Sequence, residues 1–394
     1  GDTLTNPLIL DNGQVRKFDR VLANPPFSQN YSRANMKFPN RFREWAPETG
    51  KKADLMFVQH MLASLKPDGH MATIMPHGVL FRGGKEKLIR EILIDDDVIE
   101  AIISLPPGLF YGTGIPACVL VCNKNKPDAL RDKVLFINAD REHAEGKAQN
   151  RLRPEDIEKI DFVFTHEREI PKYSRLVSKS EIVDEHDYNL NIRRYVDNTP
   201  GPEPEDVQAH LIGGIPEAEV NALNDNFARF GISADMLFEP QRPGYLAFRE
   251  SVGTKPAIRA ALESDPALQQ VLTAHFDALE DWWVIARDDF AGLHNGKQLP
   301  ELRQELLTTL KDKLIPLRVL DEFKCAGVFV NWWQQIHYDL KTIISTGWHH
   351  SLIPDDYLIT EFFQLEAEEI EKLESQISEA QSELSEAVET AQDV

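Results

Sequence analysis

Four consecutive residues, Asn24, Pro25, Pro26 and Phe27, have the types that chemistry on a planar amino group requires. The lone pair of such a nitrogen is conjugated with its ring, so the nitrogen is a poor nucleophile until both N–H bonds are accepted. The Asn24 side-chain oxygen is one acceptor, and the Pro25 carbonyl, fixed by the restricted φ of proline, is the second. Both hydrogen bonds strengthen as positive charge develops on the nitrogen, which stabilises the transition state.

Phe27 adds an aromatic face on which a substrate ring stacks. The apolar run from Phe18 to Ala23 predicts a buried strand that the prolines end, because proline cannot donate to a sheet ladder. Ligands of open α/β sheets bind just beyond the carboxyl ends of strands. The alternative interpretation of the same residues is an Asn-capped turn followed by a rigid loop with a core phenylalanine.

Three segments carry a resemblance to a known family, namely FDRVLANPPFS (18–28), ADLMFVQHML (53–62) and LPPGLFYGTGIP (105–116). They are similar to the modification subunit of type I restriction-modification systems, a family of N6-adenine DNA methyltransferases. The resemblance extends over about residues 1–195. It implies transfer of a methyl group from S-adenosylmethionine to adenine N6 in a DNA sequence that a specificity subunit selects. It also implies that Asn24, Pro25, Pro26 and Phe27 are the catalytic residues.

The cofactor site of this family is incomplete in the sequence. Such enzymes hold the cofactor with a glycine-rich turn after the first strand and an acidic residue after the second. Neither precedes Asn24 here. The chain therefore resembles a C-terminal fragment, and we expect it to bind the cofactor weakly and to be inactive alone. By the resemblance, Asp2 approaches the cofactor adenine.

Strand-like and helix-like segments alternate after the loop, which indicates an α/β fold. The predicted architecture is the second half of a doubly wound, Rossmann-like methyltransferase sheet, mostly parallel and covered on both faces. A mainly helical region and a C-terminal coiled-coil helix follow it. Asp54 is predicted to cap the first helix. The next predicted elements are a strand at 71–75, a helix at about 85–93 and strands at 98–104, 117–121 and 134–138.

The loop from Pro106 to Pro116 contains two neighbouring aromatic residues, Phe110 and Tyr111. The resemblance implies that this loop lies near the flipped base, where either ring would form the second wall of the base pocket. The alternative is that these rings anchor the loop in the core.

The net charge of −21 is unevenly distributed. Residues 1–200 contain 29 Lys and Arg against 29 Asp and Glu, whereas residues 201–394 contain 14 against 35. The acidic half is repelled by phosphates, so DNA contact belongs to the neutral half or to a basic partner. Basic residues between aromatics predict a DNA-gripping loop, with an ordinary charged surface loop as the alternative; they are Arg33, Lys37, Arg41 and Arg43.

Composition shifts divide the chain into a partial catalytic domain (1–198), a linker (199–206), a helical domain (207–355) and an acidic helix (356–394). The tryptophans at 282–283 and 332–333 are expected in the core of the helical domain. The last segment repeats apolar residues every seven positions, from Phe363 through Ile370 to Ala391. Residues 361–394 contain 11 acidic residues against one lysine, which favours a basic partner helix. By the resemblance, this helix docks on the specificity subunit, beside a second modification subunit and, in some systems, a restriction subunit.

Three cysteines without metal-ligand spacing, no other metal motif and no 20-residue apolar run indicate a cytoplasmic protein without a metal site or membrane contact. Two other functions remain open. A protein-glutamine or RNA-base methyltransferase needs the same acceptors, and a non-catalytic assembly subunit would not need the cofactor motif that is missing before Asn24.

Overall fold

The computed structural model describes residues 2–111, 114–200, 206–293 and 298–392, with side chains described as far as residue 384. The chain divides into two compact units, which consist of residues 1–275 with 314–330 and residues 276–313 with 331–394. Most of the predicted linker, 201–205, lies outside the described residues.

A six-stranded sheet forms the centre of the first unit. A short hairpin precedes it, made of β1 (Leu10–Asp11) and β2 (Gln14–Val15). The strands of the sheet in chain order are β3 (Phe18–Ala23), β4 (Leu65–Pro76), β5 (Ile99–Ser104), β6 (Ala117–Asn123), β7 (Lys133–Asn138) and β8 (Ser174–Ser178). Their spatial order is β3-β4-β6-β5-β7-β8.

The sheet is mixed, so the prediction of a mostly parallel sheet is wrong. β3 pairs with β4 and β5 with β7 in parallel, whereas the other three pairings are antiparallel. Residues 105–116 join β5 to β6 without a helix, and only parallel neighbours require a crossover. The carboxyl ends of β3, β4, β5 and β7 consequently lie at one edge of the sheet, here called the carboxyl edge. The opposite edge is called the amino edge.

Helices cover both faces of this sheet, as predicted; they are α1 (Asp54–Ala63), α2 (Lys85–Asp95) and α3 (Pro154–Thr165). Side chains alternate between faces along a strand. Ile102 of β5 packs in one apolar cluster with Leu55 of α1 and Ile89 of α2. Its neighbour Ile103 belongs to a second cluster that contains Val163 of α3. The α/β fold class that the sequence indicated is therefore confirmed.

The strand before the Asn24 loop is not buried, which corrects the prediction for Phe18–Ala23. Within the described residues, β3 pairs only with β4. Leu22 is 83% exposed, although Val21 and Ala23 on the other face pack partly against the core. The apolar residues of β3 therefore pack against the core on only one face of the strand.

The chain beyond residue 206 is mainly helical, as predicted. Its helices are α4 (Val207–Ile212), α5 (Glu217–Asn221), α6 (Asn224–Arg229), α7 (Lys255–Glu263), α8 (Pro266–Ala291), α9 (Leu299–Leu314), α10 (Glu322–Thr346), α11 (Asp355–Phe362) and α12 (Gln364–Gln392). A small antiparallel sheet that the sequence analysis missed lies among them, made of β9 (Ile215–Pro216), β10 (Phe238–Arg242) and β11 (Tyr245–Phe248).

The tryptophans of the second unit lie mostly in its core, as predicted. Trp282 and Trp333 are buried, and the ring of Trp282 lies 5.3 Å from that of Trp332. The indole N–H of Trp282 donates to the Leu306 carbonyl at 3.1 Å. Trp283 is half exposed, so it lies at the border of this cluster.

The acidic C-terminal segment forms a helix, but it does not begin where the heptad pattern predicts. Phe363 has φ −136° and ends α11, so it lies outside α12. Ile370, Leu373, Ile377 and Leu384 on α12 are all exposed. The last predicted heptad residues, at 387 and 391, lie outside the described side chains. None of the described helices combines the length and the apolar character that crossing a membrane requires.

Candidate active site

The loop Asn24–Phe27 lies at the carboxyl edge, directly after β3. Asn24 and Pro26 are exposed, and Phe27 is half buried. The structure gives the Asn24 amide no hydrogen bond to any residue that it describes. The predicted acceptor is therefore unengaged, and it lies at the edge of the sheet where ligands of open α/β folds bind.

The loop ends in an unusual backbone conformation at Ser28, whose φ is +53°. Its N–H donates to the Asp54 carboxylate at 2.8 Å, and the Gln29 carbonyl accepts from the Ala53 N–H at 3.0 Å. Two hydrogen bonds thus tie the end of the loop to the start of α1.

Asp54 does not cap α1, contrary to the sequence-based prediction. The N-cap residue is Ala53, and Asp54 occupies the first helical position without a side-chain capping bond. A capping carboxylate accepts from amides of its own helix, whereas the Asp54 carboxylate accepts from Ser28. The local pattern identified the helix start but not the long-range partner.

Charged groups surround the buried Asp54 carboxylate. Its second oxygen lies 3.6 Å from the Arg82 guanidinium, which lies 3.3 Å from Glu86. Lys52 pairs with Glu86 at 2.8 Å. Burial raises the pKa of Asp54, and the charge of Glu86 adds to this, while the Ser28 hydrogen bond and the charge of Arg82 act in the opposite direction.

Phe110, one of the two rings considered for a second aromatic wall, lies beside the loop. Its ring meets that of Phe27 edge to face, with centroids 6.2 Å apart. Tyr111 points away into solvent and is 90% exposed. Of the two candidates, only Phe110 is brought to Phe27.

The Phe110 loop is held by two amides that sequence reasoning missed. Asn150 donates from its side chain to the Pro107 carbonyl at 2.8 Å and from its backbone to Gly108 at 3.0 Å. The Gln149 side chain donates to the Leu109 carbonyl at 2.5 Å. No motif links these residues to the loop, since the hydrogen bonds join distant parts of the chain.

His77 directly follows β4 and contacts the chain at the point where the same loop ends. Its Nε2 lies 3.0 Å from the Ala117 carbonyl, which only accepts, so Nε2 carries the proton. Burial lowers the pKa of His77, which makes the ring neutral at pH 7. His77 was not among the residues that the sequence analysis selected.

Arg41 is not a DNA-contacting residue, which corrects the prediction. It is 6% exposed, and its guanidinium donates to the carbonyls of Thr3, Leu4, Lys37 and Phe38. A cation with its donors satisfied inside the protein has none left for a phosphate. Arg41 instead fixes residues 3–4 against residues 37–38.

His60 completes the surroundings of Arg41. Its Nδ1 lies 2.7 Å from the guanidinium and must accept, because arginine only donates. Its Nε2 therefore carries the proton and donates to Thr3 Oγ1 at 3.0 Å. Burial, together with the Arg41 charge, lowers the pKa of His60 to about 4.

The other basic candidates do not form one surface. Arg43 pairs with Asp96, which lies three residues before β5 and so at the amino edge, away from Asn24. Arg33 lies over the Trp45 ring at 4.6 Å and pairs with Glu48 at 3.4 Å. Lys37 is exposed, and no described residue pairs with its ammonium group. The predicted DNA-gripping patch is thus reduced to Arg33 and Lys37.

A cavity of about 330 Å³ at the amino edge is separate from the loop. Lys17, Arg43, Asp96 and Lys124 lie around it, with Leu62 and Ile89 in its lining. Because the Asn24 loop lies at the carboxyl edge, this cavity is not the candidate active site.

Asp2 is engaged within its own turn. Its carboxylate accepts from the Leu4 N–H at 3.0 Å and from the Thr5 hydroxyl at 2.5 Å. Burial raises the pKa of Asp2, but these hydrogen bonds outweigh burial and lower it overall. Both oxygens therefore already have donors.

An α/β sheet that presents Asn-Pro-Pro-Phe at its carboxyl edge is the arrangement that the sequence predicted for a methyltransferase domain. The family described as N-6 DNA Methylase matches residues 1–203, and the chain belongs to this family.

Several known proteins resemble the chain. The MjaVIII type I restriction enzyme methylase subunit of Methanocaldococcus jannaschii is 36% identical over 238 residues, which are 58% of this chain and 40% of that protein. The MpnII methylase subunit of Mycoplasma pneumoniae is 34% identical over 51% of this chain and 38% of its own length. The crystal structure of a type I methyltransferase subunit from Streptococcus thermophilus is 40% identical and covers 50% of this chain and 41% of that one, with a TM-score of 0.46. The chain thus spans about two fifths of the length of these relatives.

Proposed function

We propose that the protein is the methyltransferase subunit of a type I restriction-modification system and transfers a methyl group from S-adenosylmethionine to adenine N6 in DNA. The observation that carries this proposal is the unengaged amide of Asn24 at the carboxyl edge, beside the Phe27–Phe110 pair. Family membership and the type I relatives support it.

The chemistry of this chain is the binding of an exocyclic amino group. The Asn24 side-chain oxygen and the Pro25 carbonyl accept its two N–H bonds and withdraw the nitrogen lone pair from conjugation. Both bonds strengthen as the nitrogen becomes positive, so they favour the transition state over the ground state. Neither acceptor is required to remove a proton, since the product loses it after transfer.

The aromatic pair supplies an apolar surface for the base. A target adenine must leave the duplex stack to reach a concave site, and such a base is held between apolar or aromatic side chains. Phe27 and Phe110 approach from separate loops at the same edge, with Phe27 adjacent to the acceptors. We infer that the adenine lies against these two rings.

Asp2 is the residue that the sequence analysis proposed for the cofactor. Asp2, the acidic candidate, has both oxygens engaged by Leu4 and Thr5. No step through S-adenosylmethionine is therefore assigned to residues of this chain.

The acidic helix α12 is the proposed docking element for a specificity subunit. Its exposed Ile370, Leu373, Ile377 and Leu384 follow a heptad spacing typical of coiled coils. The surrounding acidic side chains favour a basic partner helix. DNA contact is assigned to Lys37 and Arg33, together with the partner.

A cytoplasmic location accompanies this function. Cys118 and Cys122 are buried thiols outside any disulfide bond, as expected in a reducing compartment.

The proposal is tested by measuring N6-methyladenine in DNA from cells that express the complete subunit with its partner. Asn24→Ala should abolish sequence-specific methylation, whereas the control Asn226→Ala, at an exposed position of α6, should leave it unchanged. Methylation that survives Asn24→Ala would refute the assigned site. Absence of DNA methylation in the wild type would refute the function and make protein glutamine or RNA the next substrates to examine.

A further inference from the structure

We propose that Asp54 is a positioning residue, which holds the Asn24–Phe27 loop in its reactive conformation through the Ser28 amide. This inference rests on the proposed function, in which that loop binds the target amino group. Asp54 touches neither substrate nor reacting atoms in this account, and it acts only through the backbone.

The first support is the conformation of Ser28. A φ of +53° is uncommon for a residue with a side chain and persists where the surroundings enforce it. The Ser28 N–H belongs to the peptide that follows Phe27, so its 2.8 Å bond to Asp54 fixes the plane of that peptide. The direction of the Phe27 ring and the path back to Asn24 depend on the same plane.

The second support is the burial of Asp54. The residue is 1% exposed, and Ser28 is the only described hydrogen-bond donor to its side chain. One carboxylate oxygen is buried without any hydrogen-bond partner. Burying a carboxylate is costly unless it is paired, and the capping role that would explain an Asp at this point is absent. The hydrogen bond from the Ser28 N–H therefore accounts for a carboxylate at position 54.

The third support is the group of ion pairs that holds the Asp54 carboxylate in place. The Arg82 guanidinium lies between the Asp54 and Glu86 carboxylates, at 3.6 and 3.3 Å, and Lys52 holds Glu86 from the other side. Gly78 leaves the space for that guanidinium, because a Cβ there would lie 2.4 Å from it. Helix α1, helix α2 and the turn after β4 therefore jointly orient the carboxylate that holds the loop.

The test compares Asp54 with a matched carboxylate at the opposite edge. Asp97 also accepts a backbone N–H, from Asp132 at 2.9 Å, and pairs with a cation, Lys126, at 2.5 Å. Asp97 is far from the loop in the sheet, since it precedes β5 at the amino edge. Asp54→Ala, Asp54→Asn and Asp97→Ala are made in the complete subunit bound to its partner.

In single-turnover methylation with saturating cofactor, Asp54→Ala should lower the rate by about 30-fold and change DNA affinity by less than about threefold. Asp54→Asn keeps an oxygen that accepts from Ser28 and should restore the rate to within about threefold of the wild type. Asp97→Ala should lower the melting temperature comparably and leave the rate of the folded protein within about twofold. Equal rate losses in the two alanine variants, or an Asn variant as slow as the Ala variant, would overturn the proposal.

Hydrogen exchange separates this inference from the proposed function. The Ser28 amide should exchange at least about tenfold faster in Asp54→Ala and at the wild-type rate in Asp97→Ala. If the Ser28 amide exchanged at the wild-type rate in Asp54→Ala, the proposal that Asp54 holds the loop would be refuted, even if the protein were an active methyltransferase. A wild-type complex that methylates nothing would refute the function, while the exchange result would still decide whether Asp54 holds the loop.

Discussion

Phe27 and Phe110 meet edge to face, with ring centroids 6.2 Å apart and an interplanar angle of 72°. Phe27 follows β3, and Phe110 belongs to the connection between β5 and β6, so the sheet brings two loops together at its carboxyl edge. The contact gives Phe110 a defined position, whereas its neighbour Tyr111 is in solvent. The pair therefore marks the proposed position of the target base.

Replacing Phe110 should impair capture of the target base. We expect Phe110→Ala to lower kcat/KM for DNA methylation by about tenfold, because stacking on one aromatic face is worth about 1–3 kcal/mol. The measurement is steady-state methylation together with the fluorescence of 2-aminopurine at the target position, which should rise less than in the wild type. Phe248→Ala is the control, since the ring of Phe248 is likewise paired with another ring, that of Phe238. If Phe110→Ala and Phe248→Ala had the same kcat/KM for DNA methylation, Phe110 would be excluded from the base site.

Replacing Arg41 should affect stability rather than DNA contact. Arg41→Ala removes the side-chain donor of four carbonyls, of which only that of Phe38 keeps a backbone donor among the described residues, and we expect a loss of about 3 kcal/mol in the free energy of unfolding. Urea denaturation measures this loss. Lys37→Ala is the comparison, because its exposed ammonium should contribute to the salt dependence of DNA binding without changing stability. An Arg41→Ala protein of wild-type stability would contradict the structural role.

Acidification should destabilise the first unit through His60. The pKa of His60 in the folded protein is about 4, below its ordinary value, so the unfolded state binds the proton more tightly. The stability that neutral His60 contributes is complete above about pH 6.5 and is lost as the pH falls toward 4. We expect about 1–2 kcal/mol of loss between pH 7 and 5 from this group.

Urea denaturation at several pH values checks this expectation. His60→Gln should flatten the pH dependence over this range, and the exposed His166→Gln should not. Some slope should remain in the His60 variant, because the pKa of the partly buried His77 is also lowered. An unchanged slope in His60→Gln would contradict the assignment.

Removal of residues 361–394 should separate docking from folding. The described apolar heptad residues of α12 are exposed and contribute to no hydrophobic core. The first unit should therefore keep its melting temperature when this helix is deleted. Co-purification with the specificity subunit should be lost, because the apolar seam is removed. A milder variant, Ile370→Asp with Ile377→Asp, should have the same effect. Retention of the complex by either protein would refute docking through α12.

The sequence by itself determined the local features. Two prolines cannot continue a sheet ladder, so a loop had to follow β3, and its residue types specified acceptors beside an aromatic ring. The helical spacing in 54–63 and 85–95 and the apolar runs of β5, β6 and β7 likewise follow from short-range patterns. The family resemblance rested on these same segments.

Only the tertiary structure decided which distant groups meet. Arg41 resembles a surface cation in sequence, but hydrogen bonds to Thr3 and Leu4 bury it. Asp54 resembles a helix cap, yet its carboxylate accepts from Ser28, which lies far back in the chain. The antiparallel insertion of β6 between β4 and β5 was equally unpredictable, because strand pairing depends on long-range hydrogen bonds. Local sequence patterns report the helix or strand propensity and the periodicity of a segment. The partners of a buried charge depend instead on which distant segments the folded chain brings together.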